Sequence, residues 1–191
     1  LQGGAGNGHL FGADSSTSEL RSESNVRGRQ SALRILRFLQ SIPGCEEARL
    51  ARTQTETAVR ETYRIVADTT ITVDDYRAGK VYPDAVCYAF YPVDLHDDQG
   101  VKPEPLAFGT VPTVPFSALT PRGLDRLLAV GRCLGSDQLA NSALRVQAIC
   151  MATGQAAGAA AARAAARATA SRHVPLDELK EVLRQHGAIV P

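Results

Sequence analysis

Arg145 directly precedes a stretch with helical periodicity, which predicts a helix from Gln147 to about Ala168. A fixed guanidinium in this position can stabilise negative charge that develops during a reaction, or it can bind a substrate anion. The first N–H groups of the helix, on Val146, Gln147 and Ala148, lack intrahelical partners and lie at the positive end of the helix dipole. The alternative is a structural arginine that ties the preceding loop to a carboxylate.

His96 is the second residue with a plausible chemical role. It follows a predicted strand, lies next to Asp94 and precedes Asp97 and Asp98. Oxidation of a C–H bond commonly needs a base near the substrate carbon, and an imidazole titrates in a suitable range. A loop histidine paired with one of the neighbouring aspartates explains the same pattern, so both interpretations stay open.

The elements that would position these residues have an α/β pattern. Residues 127–130 are continuously apolar and are followed by Gly131, which predicts a strand covered on both faces of a parallel sheet. In the helix that follows, Gly154 and Gly158 lie one turn apart, which predicts close packing against another backbone. The pattern is therefore a buried strand, a loop and a long helix.

Three motifs in this part of the chain resemble a known family. They are Gly131, Arg132 and Cys133 after the apolar run, then residues 143–146, then residues 150–158 with the sequence CMATGQAAG. In type and spacing they resemble the C-terminal flavin-binding segment of FAD-dependent oxidoreductases of the glutathione-reductase-like superfamily. The similarity is weaker upstream, where it involves residues 59–66, 74–80, 91–96 and 114–119. Together the similar segments cover about residues 55–191.

The resemblance implies an FAD site and a role for each motif. The backbone at Gly131 and Arg132 would approach the ribityl chain and the pyrophosphate, and Arg145 would stabilise the pyrimidine edge of reduced flavin. The helix start would meet the O2 edge of the ring, and His96 would act as the base. The residues implied to bind FAD are Gly131, Arg132, Cys133, Arg145, Val146, Gln147, Ala148 and Gly154.

The chain departs from the family pattern at three places. Arg132 stands where many relatives of the wider superfamily have an acidic residue, so it can contact a phosphate but cannot accept from a ribityl hydroxyl. Ala148 replaces a common first-turn proline. Gln138 and Leu139 stand where many relatives carry a polar pair, and a leucine cannot transfer a proton. A changed substrate or a lost proton-transfer step would follow from the last departure.

The resemblance predicts the fold class: α/β, with a partial doubly wound, Rossmann-like FAD-binding sheet completed by a final strand and helices, and a β-rich substrate-facing part. The predicted organisation is a loop or flexible segment over 1–25, a substrate-facing region over 26–118 and an FAD-binding segment over 119–191. The glycine cluster at residues 3–8 follows no predicted strand, so it indicates a loop rather than a nucleotide-binding turn. That nucleotide-binding half is expected on a companion chain or a missing segment.

Local patterns predict the remaining elements. Apolar residues recur at helical spacing over 29–42, and Pro43 and Gly44 end that helix. Strands are predicted over 56–66 and 69–73, with a third inside 80–95. Thr72 caps a short turn of helix, and Pro175 begins a closing amphipathic helix that Gly187 ends.

Composition favours an ordinary globular protein. The formal net charge of +1 gives no reason to expect nucleic acid or a membrane as partner, and the Ala-rich stretch after residue 155 is interrupted by arginines. The four cysteines form no CxxC pair, so their spacing suggests neither a redox dithiol nor a zinc site. Free thiols predict a reducing compartment, the cytoplasm, and export stays open because a signal would lie on the missing half.

Three functional hypotheses follow from the sequence. The first is part of an enzyme that transfers a hydride between a small organic substrate and flavin. The second is a non-catalytic partner subunit that retains the fold for assembly, and the third is a ligand-binding remnant without redox chemistry. The substrate, the electron acceptor and the oligomeric state are not encoded in any recognisable motif.

Overall fold

A computed structural model describes residues 10, 12–97, 100–101 and 103–191, with the backbone alone at residues 96, 97, 100 and 101. The chain folds into two compact units. The first unit contains the described residues up to Thr62, together with Asp97. The second contains Tyr63–His96 and the described residues of Gly100–Pro191. The predicted glycine cluster at residues 3–8 lies outside the described residues.

The first unit is built on one long helix, α1 (Ser18–Gln40). Its N-cap is Thr17, whose hydroxyl accepts a hydrogen bond from the Leu20 N–H at 3.3 Å. The prediction of a loop through residue 25 was therefore wrong for residues 18–25. The apolar spacing begins only near residue 29, whereas the cap and the first helical turns are polar and have the composition of a loop. The predicted end near Pro43 is confirmed, because the helix stops at Gln40.

The predicted strand over 56–66 does not form, and residues 56–57 instead bond to side chains and backbone of α1. The Asn25 amide oxygen accepts from the Thr57 N–H at 2.7 Å, and the Thr57 hydroxyl donates to the Ser24 carbonyl at 3.1 Å. A Cβ on Gly28 would lie 2.3 Å from the Thr57 hydroxyl oxygen, so this helix position has no room for a side chain. Side-chain hydrogen bonds replace the strand ladder that the sequence pattern suggested.

Two antiparallel strands organise the second unit. They are β1 (Ala85–Tyr88) and β4 (Thr113–Pro115), in which Cys87 lies opposite Val114 and a bulge follows Ala85. This confirms the strand predicted within 80–95. Two further strands of two residues each are β2 (His96–Asp97) and β3 (Gly100–Val101).

Short elements before β1 confirm one prediction and correct another. Thr72 caps α2 (Val73–Arg77), because its hydroxyl accepts from the Asp75 N–H at 3.2 Å, as predicted. The predicted strand over 69–73 is reduced to a single parallel bridge between Ile71 and Ser136. The capped helix begins at Val73 and ends the extended segment before a ladder can develop.

The predicted buried strand over 127–130 is also wrong in the described structure. The segment is extended, with Val130 at φ −132° and ψ 170°, but it belongs to no strand, and the Leu127 side chain is 51% exposed. The Ala129 N–H donates to the Leu119 carbonyl at 2.9 Å, and the Val130 carbonyl accepts from the Cys133 N–H of the following turn at 3.5 Å. An apolar run becomes a strand only beside another strand, and none flanks it among the described residues. The doubly wound sheet therefore stays a prediction.

The last two helices match the sequence pattern closely, whereas the one before them was not predicted. After α3 (Gln138–Leu144) comes α4 (Gln147–Ala166), within two residues of its predicted end, and then α5 (Leu176–Gln185). Leu179 and Leu183 of α5 are buried in the core, where each contributes about 1.5–3 kcal/mol relative to exposure. The buried residues of α4 are mostly small: Ile149, Thr153, Ala156, Ala157, Ala160 and Ala164.

Gly154 and Gly158 do not pack as predicted. A Cβ built on either glycine would meet no atom within 4 Å among the described residues. Alanines and Thr153 occupy the buried side of α4, so the two glycines lie on its uncovered side. In the described part of the chain, no helix has both the length and the hydropathy needed to cross a bilayer.

Candidate functional site

The site is built where a 3₁₀ turn, Gly131–Cys133, packs on the first turns of α4. The Gly131 N–H donates to the Thr153 hydroxyl at 3.2 Å, and a Cβ on Gly131 would lie 3.3 Å from the Cys150 sulfur. Gly131 also has a φ of +65°, which side-chain-bearing residues rarely adopt. A side chain at this position would therefore crowd α4 itself, so the glycine has a structural role even without a cofactor.

The N-terminus of α4 is open. Val146 is the N-cap residue, with φ −76° and ψ 154°, and its side chain makes no capping hydrogen bond. The first intrahelical bond runs from the Cys150 N–H to the Val146 carbonyl at 3.0 Å, and both Gln147 and Ala148 are exposed. The preceding N–H groups have no acceptor within the helix and lie at its positive end. This end of α4 can therefore receive an anion or the polar edge of a ring.

Arg145 lies between α3 and α4, as predicted. Its backbone N–H donates to the Asn141 carbonyl at 3.0 Å, which ends α3, and its guanidinium Nη2 donates to the Asp94 carbonyl at 3.1 Å. The Asp94 N–H in turn donates to the Ser142 hydroxyl at 2.9 Å. These bonds fix the half-buried side chain of Arg145, whose backbone directly precedes α4. They also give Arg145 a structural contact, so the two interpretations of this arginine coexist.

The side chain of His96 lies outside the described part of the structure. Its backbone begins β2, two residues after the Asp94 carbonyl that Arg145 binds. The fold thus brings the main chain near His96 towards Arg145, and the role of the imidazole stays a prediction.

Sequence reasoning missed α3, because it assigned Gln138 and Leu139 to a loop. Asp137 is the N-cap: one carboxylate oxygen accepts from the Ala140 N–H at 2.7 Å and the other accepts from the Val73 N–H at 2.7 Å. A Ser-Asp pair before the stretch QLANSAL was the available signal. Leu139 packs against the hydrophobic core, which gives it a structural reason to be apolar.

Asn141 is a second residue that sequence reasoning missed. It is fully buried, and its side-chain nitrogen donates to the Arg132 carbonyl and to the Ser136 hydroxyl, each at 3.3 Å. Its Oδ1 has no hydrogen-bond partner among the described residues. Asn141 therefore fixes the Gly131–Cys133 turn through the Arg132 carbonyl. Its own Oδ1 is left as a buried acceptor.

The cysteines differ in environment. All four are free; Cys87 is buried, Cys150 is half-buried and Cys133 is exposed. Burial raises the pKa of Cys87 to about 12 and also raises the pKa of Cys150, although Arg132 acts in the opposite direction on Cys150. The described residues contain no group of three or more acidic, histidine or cysteine side chains that could hold a metal ion.

An apolar groove of about 600 Å³ begins at the same end of α4. Its walls come from β1, from α4 and from the C-terminal residues, and no charged side chain lines it. From the first turns of α4 it is lined by Ala148, Ile149, Met151 and Ala152, and from β1 and the residues after it by Tyr88 and Phe90. A planar apolar group could lie here with its polar edge at the helix start.

These features fit a flavin cofactor. The open helix end and Arg145 suit the negatively charged edge of a reduced ring, and the adjacent turn begins with a glycine. The orphaned Oδ1 of Asn141 beside the turn offers a buried acceptor. Arg132 supplies a positive charge next to them and, as expected, no acidic group for a ribityl hydroxyl.

Comparison with known proteins supports the same cofactor. A search of curated proteins and a search of solved structures each found no match. The family model described as FAD dependent oxidoreductase matches residues 6–183, which is most of the chain and includes every element from α1 to the core residues of α5. The chain therefore belongs to the FAD-dependent oxidoreductase family, and FAD is its cofactor.

Proposed function

We propose that the chain is the C-terminal part of a glutathione-reductase-like flavoenzyme that transfers a hydride between a small organic substrate and FAD. The observation that carries this proposal is the open start of α4, with Arg145 held directly before it and the Gly131–Cys133 turn packed beside it. When bound, FAD supplies the group that accepts or donates the hydride. The residues of this chain supply position and charge.

The N–H groups of Val146, Gln147 and Ala148 would hold the negative charge of the reduced state. Each hydrogen bond to a charged group contributes about 1.5–3 kcal/mol, and the helix dipole adds to it. Arg145 contributes a full positive charge, fixed by the Asp94 carbonyl rather than free to follow solvent. Because these groups are in place before the reaction, little reorganisation is needed when charge develops.

The turn and the opposite side of α4 would hold the rest of the cofactor. The backbone of Gly131, Arg132 and Cys133 is held in place by bonds to Asn141 and Thr153, so it would present a fixed surface to the ribityl chain and pyrophosphate. Arg132 would contact a phosphate. Gly154, which faces open space, would allow close approach of a neighbouring group. His96 would remove the proton from the substrate carbon.

We further propose that a companion chain or segment completes the FAD-binding sheet. Residues 127–130 support this, because they are extended and end at Gly131 while the Leu127 side chain remains 51% exposed. A neighbouring strand would pair with their backbone and cover that side chain. The uncovered glycine side of α4 gives the same unit a second place to pack. Free cysteines support a reducing compartment such as the cytoplasm.

A non-catalytic role is the second candidate, and Leu139 favours it. It occupies a position where a polar pair is expected from the resemblance, and it packs against the core instead. Such a subunit would retain the fold and FAD without turning over substrate.

The test is to purify the chain with the companion that carries the nucleotide-binding half and to screen small organic substrates without oxygen. A hydride-transferring enzyme bleaches the flavin absorption band with a matching substrate. Bound FAD that no substrate bleaches, although dithionite does, would favour the non-catalytic role. Failure of the pair to bind FAD would contradict the proposal altogether.

A further inference from the structure

One helix, α3, holds Arg145 at both ends of its side chain. At the backbone, the Arg145 N–H donates to the Asn141 carbonyl at 3.0 Å. At the other end, the guanidinium Nη2 donates to the Asp94 carbonyl at 3.1 Å. The Asp94 N–H in turn donates to the Ser142 hydroxyl of α3 at 2.9 Å. The guanidinium is therefore connected back to α3 through Asp94 and Ser142.

The Ser142 hydroxyl acts as both donor and acceptor. It donates to the Leu139 carbonyl at 2.6 Å, so its proton is engaged and its lone pairs are available to the Asp94 N–H. Ser142 is 1% exposed and Asp94 is 5% exposed, so little water reaches this bond. An alanine at position 142 would therefore take an acceptor away from a buried N–H, and folded proteins generally keep such groups paired.

Both sides of the bond between Asp94 and Ser142 are fixed by further contacts. Asp137 caps α3 and also accepts from the Val73 N–H at 2.7 Å, which joins α3 to the start of α2. Directly before Asp94, Val93 and Glu104 form an antiparallel bridge. The hydroxyl thus links two parts of the fold that are each held in place, and the Asp94 carbonyl lies at the junction.

We propose that Ser142 is a positioning residue that fixes the Arg145 guanidinium and, through it, sets the reduction potential of the bound flavin. The inference deepens the proposed function and rests on it, because it assumes that Arg145 stabilises the reduced ring. Ser142 is assigned no contact with cofactor or substrate. It acts by holding the Asp94 residue, whose carbonyl limits the movement of the guanidinium when negative charge develops nearby.

The first measurement needs no cofactor. Hydrogen exchange of the full chain, followed by NMR, reports the rate at the Asp94 amide. Ser142→Ala should speed this exchange by about tenfold, because a buried N–H loses its acceptor. Ser142→Thr keeps the hydroxyl and should stay near the parent rate. Ser142→Cys, whose sulfur is a weak acceptor, takes the place of Ser142→Ala if that variant does not fold.

The second measurement is the reduction potential of flavin in the FAD-loaded assembly. Ser142→Ala should weaken the preference for the reduced ring by about threefold, which lowers the potential of a two-electron couple by about 15 mV. The effect should be smaller than that of Arg145→Met, because the charge remains and only its placement is relaxed. In the double variant, Ser142→Ala should add nothing to Arg145→Met, since both changes act through one guanidinium.

Val174→Ala is the control for a loss of stability alone. Val174 is a buried core residue outside the site, so its truncation should lower the melting temperature. It should leave both the Asp94 exchange rate under native conditions and the flavin potential at the parent values.

The results separate this inference from the proposed function. A lowered potential in Arg145→Met, with a parent-like potential in Ser142→Ala or additive shifts in the double variant, would overturn the role of Ser142 alone. A parent-like potential in both single variants would contradict the proposed function and overturn the inference with it. Equal exchange at the Asp94 amide with and without the hydroxyl would also overturn the inference.

Discussion

Replacement of Gly131 by alanine separates the two reasons for a glycine at this turn. One reason is the φ of +65°, which costs an alanine about 1–2 kcal/mol. The other is the Cβ, which would lie 3.3 Å from the Cys150 sulfur, tighter than ordinary van der Waals contact. Crowding of this size in a packed site adds about 1 kcal/mol. We therefore expect Gly131→Ala to lower the free energy of unfolding by about 2–3 kcal/mol.

Gly123→Ala is the matched control. Gly123 has a φ of +78°, but a Cβ there would meet no described atom within 4 Å. It should therefore lose only the conformational part, about 1–2 kcal/mol. Cys150→Ala removes the sulfur that crowds Gly131, so in that background the cost of Gly131→Ala should fall to the same level as that of Gly123→Ala.

Urea unfolding followed by circular dichroism measures the free energy of unfolding of the parent, of Gly131→Ala, Gly123→Ala and Cys150→Ala, and of the double variant. Equal costs for Gly131→Ala and Gly123→Ala, with no relief from Cys150→Ala, would refute the contact between the turn and α4. Flavin affinity of the folded variants gives a second result. If the backbone of Gly131 also approaches the cofactor, Gly131→Ala should weaken FAD binding and Gly123→Ala should not.

Three further predictions test other parts of the structure. Hydrogen bonds from Lys80 and Tyr82 lower the pKa of Asp75, so the stability they provide is present above pH 4 and is lost as the pH falls below about 4. Lys80→Met should make this loss smaller, which is measured as the difference in the free energy of unfolding between pH 6 and pH 3. Ala148→Pro should leave the helix content and melting temperature of the chain nearly unchanged, since that N–H has no intrahelical partner. Gly154→Ala should raise the free energy of unfolding by up to about 1 kcal/mol, because its Cβ enters open space, and a loss of stability in urea would show that this side of α4 is covered.

The elements predicted correctly are those with strong local signals. The helical period and apolar content of α4, the proline and glycine that flank α5, and the Thr72 cap of α2 are all encoded within a few neighbouring residues. For the same reason Arg145 could be placed at the start of α4 without knowledge of the fold.

The errors arose where structure depends on distant partners or on short polar signals. Residues 127–130 carry the composition of a buried strand, yet a strand exists only when a neighbour completes its ladder. Gly154 and Gly158 suggested close packing, but a glycine spacing does not specify which side of a helix is covered. The polar first turns of α1 lack the apolar period on which the prediction relied, and α3, with seven residues, is too short to show it over more than two turns.

Local sequence patterns could not predict the long-range contacts of the site. The contact between Gly131 and Cys150 arises because a glycine turn packs on a helix that begins many residues later. Asn141 serves that turn from within α3, which the sequence did not reveal. Contacts of this kind become visible only when the chain is folded.

The reduction potential of the bound flavin tests most directly whether Arg145 and the start of α4 stabilise its reduced state. Arg145→Met in the FAD-loaded assembly removes one charge-assisted interaction of about 1.5–3 kcal/mol, which for a two-electron couple lowers the potential by about 30–65 mV. Arg184→Met, which removes an exposed arginine of α5, is the control and should leave the potential unchanged. A parent-like potential in Arg145→Met, with FAD still bound and only thermal stability reduced, would show that this arginine is structural and would contradict the proposed site.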